Sequence, residues 1–245
     1  AQGGGMSASI QYAMALHNGG GNTWSDVKTY GNWLLHGSEK AGHGVQILDL
    51  KKHLVPHSGS AIELQPDKWW GGFGASHNLV VNEETSLAFG MDVSGGDLGW
   101  NSCGLYAFDI RDPMNPVAKG CLYSGSTHDA QCVLYRGPDE AYFGKEICFV
   151  YAGNSGLVIL DITDLNNPKT VASISSYVNK AYTHQGWINC QHDTVFFGDE
   201  VDEMSNGGSK VRTFVVDVST LSEPTIMNVH VSGVDSIDHN QYVCG

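Results

Sequence analysis

The sequence predicts an all-β protein, a β-propeller with four-stranded antiparallel blades, because one strand pattern recurs at nearly regular intervals. An apolar, β-branched run that ends in Asp occurs four times, with the final residues Asp49, Asp109, Asp161 and Asp217. Successive aspartates are 60, 52 and 56 residues apart. Repeats of this length that contain several short strands are typical of propeller blades.

A second motif, a His followed by a polar residue, runs in phase with the first. It occurs at His77, His128, His184 and His239, and the first three lie 32, 33 and 33 residues before the next motif aspartate. Two strand-like runs lie between each His and the run that ends in Asp, and one more follows that run. Together with the Asp run itself, this makes four strands per unit. The predicted complete blades are residues 22–70, 75–124, 127–176 and 183–232.

The closure of the ring is open at this point. Residues 237–245 hold one more inner strand, Gln241–Cys244, and residues 6–17 hold a strand-like piece, so the two could share a partial fifth blade. The alternative is that the four blades are part of a longer propeller. In the first blade, the pattern assigns the outermost strand to Ala61–Leu64.

The charge of the chain excludes some partners. The 245 residues contain 13 Lys and Arg against 26 Asp and Glu, for a net charge of −13. Binding to nucleic acid or to an anionic membrane needs basic side chains that displace counterions, so neither is expected. No apolar run approaches the roughly 20 residues of a transmembrane helix. Nucleophile-elbow, Walker and dinucleotide-binding motifs are also missing from the sequence.

Strand neighbours predict two disulfides. Cys103 begins the third strand of its blade and Cys121 lies in the fourth, while Cys132 and Cys148 lie in the first and second strands of the next blade. Opposed residues of antiparallel strands are close enough to be bridged. Cys190 and Cys244 are then expected to be free or to pair outside this sequence. The alternative is six reduced cysteines in a cytosolic protein.

The histidine motif predicts a metal site at one mouth of the central channel. The innermost strand of each blade lines that channel, and the second strand returns to the same face. Imidazoles with a few carboxylates suit Zn, Fe, Mn or Cu, and Ca is not distinguished from these at this stage. The candidate ligands are His77, His128, His184, His239, His43, Glu39 and Glu200. The residues expected to orient the rings are Asp129, Gln185, Asn78 and Asn240.

A structural role of the same histidines is the alternative. In other propellers, a His before the inner strand fastens its own blade through hydrogen bonds, and Ser76, Thr127 and Thr183 could be the partners here. Each His would then serve a single blade, and no shared site would exist. The repeat alone does not separate the two hypotheses.

These motifs together resemble the LVIVD-repeat propellers of the choice-of-anchor B family. The resemblance rests on stretches such as 41–46, 76–85, 127–132, 182–187 and 238–240. It implies a secreted or cell-surface-attached propeller, and it does not imply a biochemical activity.

Two functions remain open from the sequence, and a purely structural repeat is the fallback. The first is an extracellular binding domain that presents its metal-bearing top face to a protein or glycan. The second is a metal-dependent hydrolase or lyase that uses the same site, with a His or Tyr182 as acid or base.

Overall fold

The computed structural model describes residues 12–14, 24–53, 62–99, 101–205 and 210–243, and it confirms the predicted fold class. In this part of the chain, sixteen strands form four antiparallel sheets of four strands each, the blades of a β-propeller. Two further strands, β1 (Tyr12–Met14) and β5 (Ile62–Leu64), pair in parallel outside the blades.

Each blade is built from consecutive segments, ordered from the channel outward. The first contains β2 (Ser25–Tyr30), β3 (Trp33–Ser38), β4 (Val45–Asp49) and β6 (Lys68–Trp70). The second contains β7 (Leu79–Asn82), β8 (Leu87–Ser94), β9 (Ser102–Asp109) and β10 (Val117–Tyr123). The third contains β11 (Asp129–Leu134), β12 (Glu146–Tyr151), β13 (Leu157–Asp161) and β14 (Lys169–Ile174). The fourth contains β15 (Tyr182–Ile188), β16 (Thr194–Glu200), β17 (Arg212–Asp217) and β18 (Thr225–Val231).

Helical structure is minor. Outside the strands, the described residues form a 3-10 turn and two α-helices of four residues each, α1 (Leu50–His53) and α2 (Asp202–Ser205). Neither helix has the length needed to cross a membrane.

The repeated aspartate closes the turn after the third strand of each blade. Oδ1 of Asp109 accepts a hydrogen bond from the backbone N–H of Arg111 at 3.0 Å, two residues further along the chain. The equivalent bonds of Asp49, Asp161 and Asp217 are 2.9, 3.1 and 2.8 Å long. This local side-chain turn needs an acceptor on a short side chain, which explains why Asp ends each motif strand.

The blades pack face to face, so the middle strands are buried on both sides. In β12, Phe149 and Tyr151 face the core shared with the fourth blade, while Cys148 and Val150 face the core shared with the second. Successive side chains of a strand point to opposite faces, and a strand between two cores is therefore apolar throughout. Aromatic rings fill the space between the first two blades, where Trp70 stacks on Phe108 with centroids 4.5 Å apart.

Both predicted disulfides form. Cys132 and Cys148 are directly opposed in β11 and β12, with Cα atoms 4.0 Å apart. Cys103 and Cys121 join β9 to β10 with Cα atoms 5.8 Å apart, although they are not directly opposed as predicted, because Cys121 pairs with Tyr106 next to a register shift.

The expectations at the blade edges need correction. The outermost strand of the first blade is β6, and β5 in the predicted segment 61–64 pairs with β1 instead. Residues 232–243 contain no strand, so the predicted strand at 241–244 does not form there, and residue 244 lies outside the described residues. Cys190 is free but lies in the turn after β15, not on the inner strand as predicted.

Removing a core ring should test the packing between the third and fourth blades. Phe149 is fully buried, and we expect Phe149→Ala to lower the free energy of unfolding by about 3–5 kcal/mol. Phe143 is 64% exposed, so Phe143→Ala is the control and should change it by less than about 0.5 kcal/mol. Denaturant unfolding followed by circular dichroism measures both, and equal losses would contradict the packing.

A thiol titration should test the disulfides. Under denaturing, non-reducing conditions we expect two reactive thiols, because four of the six cysteines are bridged. Replacing both Cys103 and Cys121 by Ser, which opens a link between residues 18 apart, should destabilise the fold by about 3 kcal/mol. Six reactive thiols would contradict both bridges.

Candidate metal site

Three of the four motif histidines lie at or near the start of an inner strand, and the fourth, His239, follows the last blade. His128 directly precedes β11, and its backbone N–H bonds to the carbonyl of Tyr151 at the end of β12. His77 lies just before β7 and donates to the carbonyl of Met91 in the same way, at 2.8 Å. His184 lies within β15 and His239 in the segment after the fourth blade. The strands of the blades thus set the height of the histidines along the channel.

The structure brings the four rings together in a row. The ring centroids of His77 and His128 are 4.3 Å apart, those of His128 and His184 are 3.9 Å apart, and those of His184 and His239 are 4.4 Å apart. The row runs from one blade to the next. None of the four histidines therefore serves only its own blade, whereas the structural alternative required that each of them did.

Backbone carbonyls determine which ring nitrogen carries the proton. Nδ1 of His128 lies 3.0 Å from the carbonyl oxygen of His184, and Nδ1 of His184 lies 3.0 Å from that of His239. A carbonyl only accepts hydrogen bonds, so both Nδ1 atoms carry hydrogen and donate. In the neutral rings, the lone pair is then on Nε2.

His77 has a different environment. Its Nδ1 lies 2.5 Å from Oε1 of Glu39, and its Nε2 lies 2.7 Å from Nε2 of His128. Because Nε2 of His128 carries a lone pair, this contact is a hydrogen bond in which Nε2–H of His77 is the donor and Nε2 of His128 the acceptor.

Glu200 completes a group of possible ligands. Its Oε2 lies 3.5 Å from Nε2 of His184. The ligand atoms of His128, His184 and Glu200 all lie within 4.8 Å of one another. Two imidazoles and a carboxylate at this spacing could hold a metal ion.

Burial keeps the two central rings neutral. Burial, with smaller contributions from the rings of His184 and His77, lowers the pKa of His128 to about 3. Burial and the neighbouring His239 lower the pKa of His184 to about 4. Both rings are therefore in the neutral form, which is the form that binds metals.

The cluster opens into a cleft of about 350 Å³. Neither Lys nor Arg is among the residues that line it. At its edge lies Trp24, whose residue is 52% exposed, and the amide side chains of Asn78 and Asn240 add polar groups. The cleft therefore gives solvent and small ligands access to the histidines.

Two predicted ligands, His43 and Glu39, lie outside the group of His128, His184 and Glu200. His43 packs against His36 inside the first blade, with ring centroids 4.8 Å apart, and its Nδ1 lies 2.9 Å from the carbonyl of Gly44. The flanking Gly42 and Gly44 have φ angles of 78° and 62°, a backbone conformation that favours glycine. Glu39 contacts Nδ1 of His77 and is not part of the three-residue group.

The residues predicted to orient the rings have other partners. Asn78 donates to the backbone carbonyl of His128 at 2.9 Å, and Gln185 accepts from the N–H of Gln241 at 2.8 Å. Asp129 accepts from the N–H of Ala130. In β15, side chains alternate, so Gln185 points to the side opposite His184, whereas Asn78 and Asn240 line the same cleft as the histidines. The rings of His128 and His184 are oriented by backbone carbonyls instead, and no residue type in the sequence marks such a carbonyl.

Comparison with known proteins adds little to this description. No protein-family model and no curated protein matches the sequence. Among solved structures, the chain is similar to a protein from Lactobacillus plantarum, with 9% sequence identity and a TM-score of 0.48. The match covers 85% of this chain and 55% of that one, so the chain spans about half the length of that protein. Membership of the LVIVD-repeat group stays a prediction.

Asp129 should make the stability depend on pH. Burial raises its folded-state pKa to about 7, well above the usual value of 3.8 for Asp. Between these two pH values the folded carboxyl holds a proton that the unfolded chain has released, so its contribution to stability is lost as the pH rises toward and past 7. We expect Asp129→Asn to raise the free energy of unfolding at pH 8 and to change it little at pH 4.

Denaturant unfolding in the presence of a chelator measures this effect without interference from metals. Asp235→Asn is the matched control, because the Asp235 side chain is 76% exposed, and it should change stability little at either pH. If Asp129→Asn destabilised the protein at pH 8, the burial argument would be wrong.

Proposed function

We propose that this protein is a β-propeller interaction domain that binds a divalent transition metal at one mouth of its channel. The observation that supports this most is the hydrogen bonding of His128 and His184. Their Nδ1–H groups donate to backbone carbonyls, which puts the lone pairs on both Nε2 atoms, and a metal on His128 would replace the hydrogen bond that its Nε2 receives from His77. Histidines that bind metals usually donate their other ring N–H in this way.

The ligands in this proposal are His128, His184 and Glu200. In a tetrahedral site with bonds of about 2.0–2.2 Å, neighbouring ligand atoms are roughly 3.3 Å apart, and the present spread is at most 4.8 Å. The longer side chain of Glu200, 28% exposed, is free enough to close the difference. His77 and His239 flank this set in the row of rings.

The chemistry of the ligands narrows the choice of metal. Two imidazole nitrogens and one carboxylate suit Zn, Fe, Mn or Cu. Calcium takes oxygen ligands, so we remove it from the metals left open by the sequence.

The cleft beside the metal is the proposed binding face. Three protein ligands leave a tetrahedral metal one open position, and a protein or glycan that enters the cleft would meet it next to Trp24 and Asn240. The two disulfides are typical of oxidising compartments, and on this basis we propose a secreted or surface-attached protein.

Metal analysis of the purified protein should test the site. We expect one equivalent of a transition metal per chain, removable by a chelator and restored by Zn²⁺ in calorimetric titration. His128→Ala, His184→Ala and Glu200→Gln each remove a ligand. Replacing a residue that only supports a ligand usually weakens metal binding by roughly 10–100-fold, and each of these variants should weaken it by more.

His53→Ala is the control for these variants. His53 is also paired with a carboxylate, that of Asp67 at 2.9 Å, but it is not part of the ligand group. It should bind metal like the wild type. The site is wrong if the wild-type protein binds no transition metal, or if the ligand variants retain its affinity.

A further inference from the structure

The carboxylate of Glu203 is buried without a hydrogen-bond partner among the described residues. Glu203 belongs to the short helix α2, shortly after β16, and the residue is only 6% exposed. Neither Oε1 nor Oε2 accepts a hydrogen bond from the part of the chain that the structure describes. Buried carboxylates are normally paired with a base or bound to a metal, because water no longer stabilises their charge. Glu203 therefore calls for a positive charge from another source.

A second carboxylate, that of Asp238, lies near Glu203. Oδ2 of Asp238 accepts a hydrogen bond from the backbone N–H of Asp199 at 3.1 Å, which holds the side chain against β16. Its Oδ1 is buried and has no partner among the described residues. Burial raises the pKa of Asp238 to about 7, and among the neighbouring charges that of Glu203 contributes most to this rise. The two side chains thus bring three buried carboxylate oxygens without partners into one region.

The basic side chains of this region are engaged elsewhere. Arg212 forms an ion pair with Asp202 and donates to two backbone carbonyls. Lys210 is paired with another carboxylate at 2.5 Å, and Lys180 donates to a backbone carbonyl at 2.6 Å. The ring of His239, the residue after Asp238, lies in the histidine row. None of these groups has a recorded contact with Glu203, so a bound cation is the remaining source of positive charge.

We infer that Glu203 and Asp238 bind a Ca²⁺ ion at a second site, distinct from the proposed transition-metal site. The protein ligands are Oε1 and Oε2 of Glu203 and Oδ1 of Asp238, and water supplies the others. Ca²⁺ takes about six to eight oxygen ligands and often binds both oxygens of one Glu. This set offers oxygen alone, whereas transition metals favour sites with imidazole or thiolate. The ion ties α2 to the segment after the fourth blade, which also carries His239.

The experiment titrates the chelator-treated full chain with Ca²⁺ alone, by calorimetry and by thermal unfolding. The wild type should bind one Ca²⁺ with a Kd on the order of 10⁻⁴–10⁻³ M, the range of extracellular calcium modules, and its unfolding temperature should rise with the Ca²⁺ concentration. Glu203→Gln and Asp238→Asn should each weaken binding by more than about tenfold. Without Ca²⁺, Glu203→Gln should be at least as stable as the wild type, because its amide buries no charge.

Two variants serve as controls. Glu223→Gln removes an exposed carboxylate of the same blade and should bind Ca²⁺ like the wild type. His128→Ala should lose the transition metal and keep Ca²⁺, so the two sites can fail separately.

Three outcomes would overturn the calcium site. A wild type that does not respond to Ca²⁺ would mean that protons neutralise the two carboxylates. Unchanged affinity in Glu203→Gln would place the ion elsewhere, and an equal loss in Glu223→Gln would indicate binding to the acidic surface in general. Circular dichroism checks folding, and Glu203→Gln decides if Asp238→Asn does not fold.

Discussion

The burial of both faces of every middle strand is the constraint on which this structure depends. A sheet such as the third blade has one apolar face against the second blade and the other against the fourth. Neither face can be left in water without losing a large part of the hydrophobic stabilisation. The blades must therefore stack in sequence order, and their inner strands then lie side by side around a channel.

The histidine row follows from that stacking. Equivalent residues of successive inner strands are brought next to one another, so that His128 and His184 have ring centroids 3.9 Å apart although they are 56 residues apart in sequence. Such a row of imidazoles contributes less to packing than apolar residues would. Burial disfavours the charged forms of His128 and His184, and the backbone carbonyls of His184 and His239 satisfy one nitrogen of each. The other nitrogen remains available for chemistry.

The histidines of the cluster also differ in the groups that hold their rings. The rings of His128 and His184 bond to backbone carbonyls, which a side-chain substitution does not remove. Glu200 lies within the same 4.8 Å group. His77 depends on the side chain of Glu39 in the preceding blade. The partner of the ring thus differs from blade to blade within one repeated motif.

The sequence by itself determined the fold class, the four blades and the position of the motif histidines, because the two-residue alternation and the repeat of about 50 residues are local properties of the chain. It also predicted Cys132 opposite Cys148, since strand neighbours follow from the order of the strands. The tertiary structure decided the rest. The protonated nitrogen of His184 is set by a carbonyl 55 residues away, and the ring of His43 packs against His36 inside the first blade and not in the row. Such contacts depend on the rotation of one side chain against a distant backbone atom, and residue type carries no record of that rotation.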